Sequence, residues 1–196
     1  MKRDVKKQAV AKGAIRIISG QWRGRKLPVL DAQGLRPTTD RNKETLFNWL
    51  MPTIANSRCL DAFAGSGGLG FEALSRYAAK VTFIELDKKV AHNLQSNLQM
   101  LQVPAEKAQL LIGDSIKVLQ QLVEPFDVIF LDPPFGRNLL NHTIGQIVTG
   151  SLLKPNGLIY IECEGQGGNY IVPENWSCIK EQKSSQIISR LYQRLN

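Results

Sequence analysis

A chain of 196 residues, 43% hydrophobic and 21% charged, has material for one sizeable core and too little length for two. No apolar run reaches the roughly 18 residues of a membrane helix, and the cationic start (Lys2, Arg3, Lys6, Lys7) is not followed by the apolar stretch of a secretory signal. A soluble, cytoplasmic protein with no membrane partner is expected, and a monomer.

The net charge of +8 is unevenly placed: residues 1–43 hold 12 Lys and Arg against 3 acids, whereas the other 153 residues hold 13 against 14. A basic segment on a near-neutral body is the footprint of nucleic-acid binding; a solvated charged tail is the alternative. Cys59, Cys163 and Cys178 are odd in number and lack metal-like spacing, so they read as free thiols serving as small buried hydrophobes.

Residues 1–14 form a basic tail with little apolar periodicity, expected to be disordered until an anionic partner orders it. Residues 15–35 then predict a β-hairpin extension, with Ile15-Arg16-Ile17-Ile18 and Arg25-Lys26-Leu27-Pro28-Val29-Leu30 around the turn Ser19-Gly20-Gln21-Trp22-Arg23-Gly24. Its cations, Arg16, Arg23, Arg25 and Lys26, suit phosphates. Trp22 suits either stacking on a base or packing the hairpin onto the body.

The rest, 36–196, predicts one α/β domain. Thr39 or Asp40 can cap a helix running to Met51, with Leu46, Phe47 and Leu50 on its apolar side. From Arg58 onward, apolar runs at 59–64, 81–84, 110–112, 126–131 and 158–161 alternate with helical segments at 68–77, 88–101, 115–123 and 138–148. That alternation predicts a parallel, doubly wound sheet. His92 and His142 fall on polar helix faces. Two closing strands at 176–182 and 187–192 predict an antiparallel hairpin that makes the sheet mixed.

Two stretches carry chemistry. Leu60-Asp61-Ala62-Phe63-Ala64-Gly65-Ser66-Gly67-Gly68-Leu69-Gly70 follows the first core strand and opens a helix, where a glycine turn passes close to a ligand. Gly65, Gly67 and Gly70 match G-x-G-x-x-G, with Glu85 ending the next strand to bind ribose hydroxyls. This pattern is common to nicotinamide-dinucleotide enzymes and methyltransferases. Asp61 is placed for the amino group of an amino-acid moiety, and Gly113-Asp114-Ser115 for an adenine edge.

Asp132-Pro133-Pro134-Phe135 ends the fourth run. An exocyclic amino group on a base is a poor nucleophile because its lone pair is delocalised into the ring. A carboxylate and a backbone carbonyl accepting its hydrogens hold the nitrogen more tetrahedral, while Pro133 and Pro134 stiffen that geometry. Phe135 is suited to stack on the base. A strand end with a capping Asp is the bland reading; the glycine loop upstream favours the chemical one.

These residues resemble the class I S-adenosylmethionine-dependent methyltransferases, and among them the amino-methylating members with D-P-P-F/Y. Upstream, the run from Ile15 to Pro28, Leu35-Arg36-Pro37-Thr38-Thr39-Asp40-Arg41 and Glu44-Thr45-Leu46-Phe47-Asn48-Trp49-Leu50 are similar to the RsmD family, as is Ser189-Arg190-Leu191-Tyr192-Gln193-Arg194. The resemblance implies a Rossmann-like, mostly parallel seven-stranded sheet and methyl transfer from S-adenosyl-L-methionine to N2 of guanine 966 of 16S rRNA, on the RNA itself or the small ribosomal subunit. It further implies that Asp61 and Gly65, Gly67 and Gly68 hold the methionine part, Glu85 the ribose, and Asp114 with Ser115 the adenine. Thr38, Thr39 and Arg41 would close that pocket. Asp132 would orient the guanine amino group and Phe135 would stack, with no metal and no covalent intermediate required. The rivals are a DNA adenine amino-methyltransferase, a nicotinamide-dependent oxidoreductase and a non-catalytic RNA-binding factor.

Overall fold

The computed structural model describes residues 13–30, 40–165, 170–184 and 186–196. The basic tail before Gly13 and the segment holding Thr38 and Thr39 lie outside them. Strands β1 (Gly13–Arg16) and β2 (Lys26–Val29) pair antiparallel. Then come α1 (Asp40–Trp49), β3 (Arg58–Asp61), α2 (Gly68–Ser75), β4 (Lys80–Glu85) and α3 (Lys88–Met100). After them follow β5 (Ala108–Ile112), α4 (Ser115–Leu119), β6 (Phe126–Leu131), α5 (Leu139–Thr149), β7 (Leu153–Glu164), β8 (Trp176–Lys183) and β9 (Ile187–Arg194). No helix among the described residues is long and apolar enough to cross a membrane.

Strands β3 to β9 form a seven-stranded sheet in the order β5-β4-β3-β6-β7-β9-β8, parallel except for β9, which runs antiparallel between β7 and β8. The order reverses between β3 and β6, which is the switch point where open α/β sheets place their ligands. Side chains alternate across the sheet. Cys59, Phe83, Phe130 and Tyr160 face one core, shared with α1, α2 and α3, and Leu60, Ile84, Ile129 and Ile159 face the other, shared with α4 and α5.

Several local causes are visible. Asp87 caps α3 by accepting from the amides of Lys89 and Val90 at 2.7 and 3.1 Å, and Val90, Leu94 and Leu98 form its buried face. Strand β7 begins five residues before the apolar run at Leu158, because its first half, which includes Pro155 and Asn156 (φ 60°), still reaches β6 across an irregular register. Cys59 and Cys163 are buried as expected. Cys178 is exposed on the edge strand β8, which corrects the expectation for that residue.

The N-terminal hairpin is part of the body. Ile15, Ile17, Leu27 and Val29 are buried in the same core as Phe47, Phe71 and Phe83. Its turn is seated on α2: the carboxylate of Glu72 accepts from the amides of Ile18 and Ser19 at 2.8 and 3.0 Å, and pairs with Arg76 at 2.8 Å. Gln21 and Trp22 donate from their backbones to the Ser75 carbonyl and hydroxyl. On the other side, Asn93 and Asn97 donate to the Pro28 carbonyl, and the buried ammonium of Lys43 to the carbonyl of Arg16. Glu72 is fully buried, so its removal strands two amides and a guanidinium. Glu72→Ala is expected to destabilise the protein by roughly 3–5 kcal/mol, read by urea unfolding, with tryptic cleavage appearing first between Arg16 and Lys26.

Candidate active site at the carboxyl ends of the parallel strands

Four neighbouring strands each end in, or lead directly into, an acid on the same face of the sheet. Glu85 closes β4, Asp61 closes β3, Asp132 follows β6 and Glu162 lies near the end of β7. The sheet order makes them a continuous row, and all four line one cavity of 680 Å³, within the usual range for ligand sites. A row of carboxylates suits a ligand bearing positive charge or several N–H donors.

Asp61 is nearly inaccessible, and its carboxylate accepts from the Gly70 amide at 3.1 Å. Burial pushes its pKa up to about 7; the Gly70 amide works against that rise, and the Glu85 charge adds to it. Glu85 binds backbone on both sides, accepting from the amides of Gly65 and Asp87, each at 2.8 Å. It therefore ties the glycine turn to the start of α3.

The glycine turn divides its labour. Gly65 and Gly68 line the cavity, whereas Gly67 does not: with φ of 81° it turns the chain into α2, and a Cβ there would sit 2.4 Å from the Phe71 ring. At Gly70 a Cβ would lie 2.1 Å from the Phe83 ring, so the helix approaches β4 only because this position has no side chain.

At the far side of the cavity, Asp114 caps α4 by accepting from the Lys117 amide at 3.2 Å, and the Ser115 hydroxyl donates to the carbonyl of Ala62. Both residues line the cavity while serving these structural bonds. Pro133 and Phe135 line it opposite, with Phe135 38% exposed at the mouth. Beyond them a smaller hollow of 80 Å³ opens against Arg137, Asn141 and Tyr170.

The structure thus brings Asp61, Gly65, Gly68, Glu85, Asp114, Ser115, Asp132, Pro133 and Phe135 together. It sets Arg41 apart: Arg41 is exposed, and its neighbour Asn42 is the α1 residue that lines the cavity. Arg16, Arg23, Arg25 and Lys26 are exposed on the hairpin, and Trp22 is half-buried against the core. Packing is the Trp22 reading that the structure favours. Sequence reasoning missed Asn42, Ile187 and Glu162. The signal for Glu162 was present in Ile159-Tyr160-Ile161-Glu162, an acid after a buried apolar run, as at Glu85 and Asp132.

The folded pKa of Asp61, about 7, lies above its ordinary 3.8. Between those values the folded state holds the extra proton, so this group's contribution to stability declines as pH rises from about 4 toward 7. Urea midpoints at pH 5 and pH 7.5 should show that decline in the ligand-free protein, and Asp61→Asn should flatten it.

Residues 15–193 match the family model described as "Conserved hypothetical protein 95". The chain is 56% identical over 185 residues to the Haemophilus influenzae protein named "Ribosomal RNA small subunit methyltransferase D", covering 93% of this chain and 95% of that one. Its identity to the Escherichia coli K12 protein of the same name is 52% over 182 residues, covering 93% and 91%. A solved structure described as "Putative methyltransferase yhhF from Escherichia coli" superposes with a TM-score of 0.86 at 49% identity, covering 93% of this chain and 99% of that one. The chain belongs to the Conserved hypothetical protein 95 family, as its resemblance to the RsmD family led us to expect.

Proposed function

We propose that this protein methylates small-subunit ribosomal RNA, transferring a methyl group from S-adenosyl-L-methionine to the exocyclic N2 amino group of guanine 966 in 16S rRNA. The observation that carries the reading is the row of acids at the strand ends, closed by Asp132-Pro133-Pro134-Phe135. The names of the matching relatives support the substrate class, and the D-P-P-F resemblance supports the amino acceptor.

The donor set fits the cofactor. Asp61 meets its ammonium group, the turn at Gly65 and Gly68 its carboxylate, and Glu85 its ribose hydroxyls. Asp114 and the lone pairs of the Ser115 hydroxyl meet its adenine. When bound, the cofactor supplies an electrophilic methyl group on a sulfonium centre.

The protein's own task is placement. Asp132 and a backbone carbonyl of the proline turn accept the two amino hydrogens, which draws the nitrogen lone pair out of conjugation and toward the methyl carbon. Transfer would exchange the S–CH3 bond of the cofactor for the new N–C bond, leaving S-adenosylhomocysteine, and the nitrogen would then shed one proton to Asp132. Phe135 holds the base plane. Positioning at roughly 3–3.5 Å in line accounts for most of the rate. The target guanine must be unpaired or turned out of its helix, since pairing hides the N2 edge.

The exposed cations of the hairpin, Arg16, Arg23, Arg25 and Lys26, grip phosphates, with Trp22 holding the hairpin to the body. The hairpin's apolar side chains are core, so charge neutralisation, not deletion, is the sound test of that role. Replacing the four cations by Gln should lower the slope of log affinity against log salt by about 3, from roughly 0.7–0.9 per phosphate contact. Measurement of small-subunit binding at several salt concentrations checks this.

Asp132→Ala should slow methyl transfer by about 10²–10⁴-fold while leaving S-adenosylhomocysteine binding within a few fold. Mass spectrometry of ribosomal RNA nucleosides from cells with and without the gene identifies the product; normal N2-methylguanine in the absence of the gene would end the proposal.

A further inference from the structure

Glu162 carries more than its share of the site. The register pairs Leu131 with Ile161, which places Asp132 and Glu162 on the next rung of adjacent strands, about 4.8 Å apart in backbone spacing. Both follow the face of Phe130 and Tyr160, so the two acids stand side by side. Glu162 is only 3% exposed, yet it lines both the 680 Å³ cavity and the 80 Å³ hollow beyond the proline turn. Pro133, Pro134 and Phe135 line both as well. Glu162 thus sits at the junction where an acceptor reaching from the outer hollow meets the main cavity.

The fold also aims this carboxylate. The Tyr160 hydroxyl, itself within the core, donates to Glu162 Oε2 at 2.6 Å and lies 3.0 Å from Ser189 Oγ on β9. A short bond to a charged acceptor is strong and directional, and a carboxylate accepts at about four lone-pair sites. Methyl transfer to an amino group needs only Asp132 and the carbonyl of the turn, so a second acid locked beside them requires another explanation.

Base chemistry supplies one. On the Watson–Crick edge of guanine, N1–H and one hydrogen of N2 point the same way and together match one carboxylate. Adenine presents a lone pair at N1 and cytosine one at N3, each of which a carboxylate repels. Resting on the guanine-N2 reading above, we infer that Glu162 determines base specificity: its carboxylate, aimed by Tyr160, accepts N1–H of the target guanine and shares with the carbonyl of the turn the N2–H beside it, while Asp132 takes the other N2–H.

The test uses small-subunit particles reconstituted with RNA bearing either guanine or 2-aminopurine at the target position. The analogue keeps the amino group and replaces N1–H with a lone pair. Wild type should favour guanine by about 10²-fold in kcat/KM. Glu162→Gln should lose about 10²-fold on guanine and reduce that preference at least tenfold, because its amide can donate to N1 of the analogue. Its S-adenosylhomocysteine affinity should stay within about twofold of wild type, which separates lost recognition from lost fold. Should Glu162→Gln fail to fold, Tyr160→Phe takes its place, with an expected drop in preference of about threefold. An unchanged preference in the folded variant overturns the inference. If wild type yields N2-methylguanine in that case, the proposed reaction stands and only the role of Glu162 falls; if its product is another nucleoside, both fall.

Discussion

The hydrogen bond from the Gly70 amide to the buried carboxylate of Asp61 is the contact on which the site's architecture depends. It fixes the first turn of α2 against the end of β3, and α2 then carries Glu72 and Ser75, the seat of the N-terminal hairpin. The hairpin in turn presents the Pro28 carbonyl to Asn93 and Asn97 of α3. One helix thus connects the floor of the cavity, the basic extension and the helix after β4. The arrangement works only because residue 70 lacks a Cβ, which would otherwise meet the Phe83 ring at 2.1 Å.

A row of acids in a protein of net charge +8 needs a physical account, since like charges at a half-buried edge repel. The fold answers with donors: backbone amides of Gly65, Asp87 and Gly70 for Glu85 and Asp61, and the Tyr160 hydroxyl for Glu162. The most enclosed acid, Asp61, still has its pKa pushed up to about 7, burial being the largest cause. A cationic ligand would relieve that cost, so the site is built to be completed by charge. The exposed cations Arg16, Arg23, Arg25 and Lys26 lie instead on the hairpin. On the proposed reading a polyanion would be drawn to them and repelled by the row of acids, which would leave a base, not its backbone, as the part that enters the cavity.

Much of this was legible in the sequence because the relevant signals are local. A buried strand followed by an acid can be read from a few residues, and Asp61, Glu85 and Asp132 were found that way. The proline turn and the G-x-G-x-x-G spacing placed the loops. What escaped depends on tertiary neighbours. Nothing local distinguishes Arg41 from Asn42 on the first turn of α1, and only the helix's rotation sends Asn42 to the cavity. Trp22 was ambiguous because an amphipathic ring serves either role, and packing decided it. The hairpin read as an appendage because charge dominates its composition, while its four buried aliphatics are spread over two short strands.

Glu162 shows why the row matters more than its members. As a single residue it is an acid near the end of a strand, no more suggestive than many. The sheet order sets β7 beside β6, and the antiparallel return of β9 brings Ser189 under Tyr160. The closing hairpin, which has no part in the glycine loop or the proline turn, thereby reaches the Glu162 side of the cavity. A parallel strand in that place would run the other way and present a different residue to Tyr160. The mixed sheet is therefore what allows the C-terminal strands to orient a carboxylate at the same edge where the parallel strands deliver theirs.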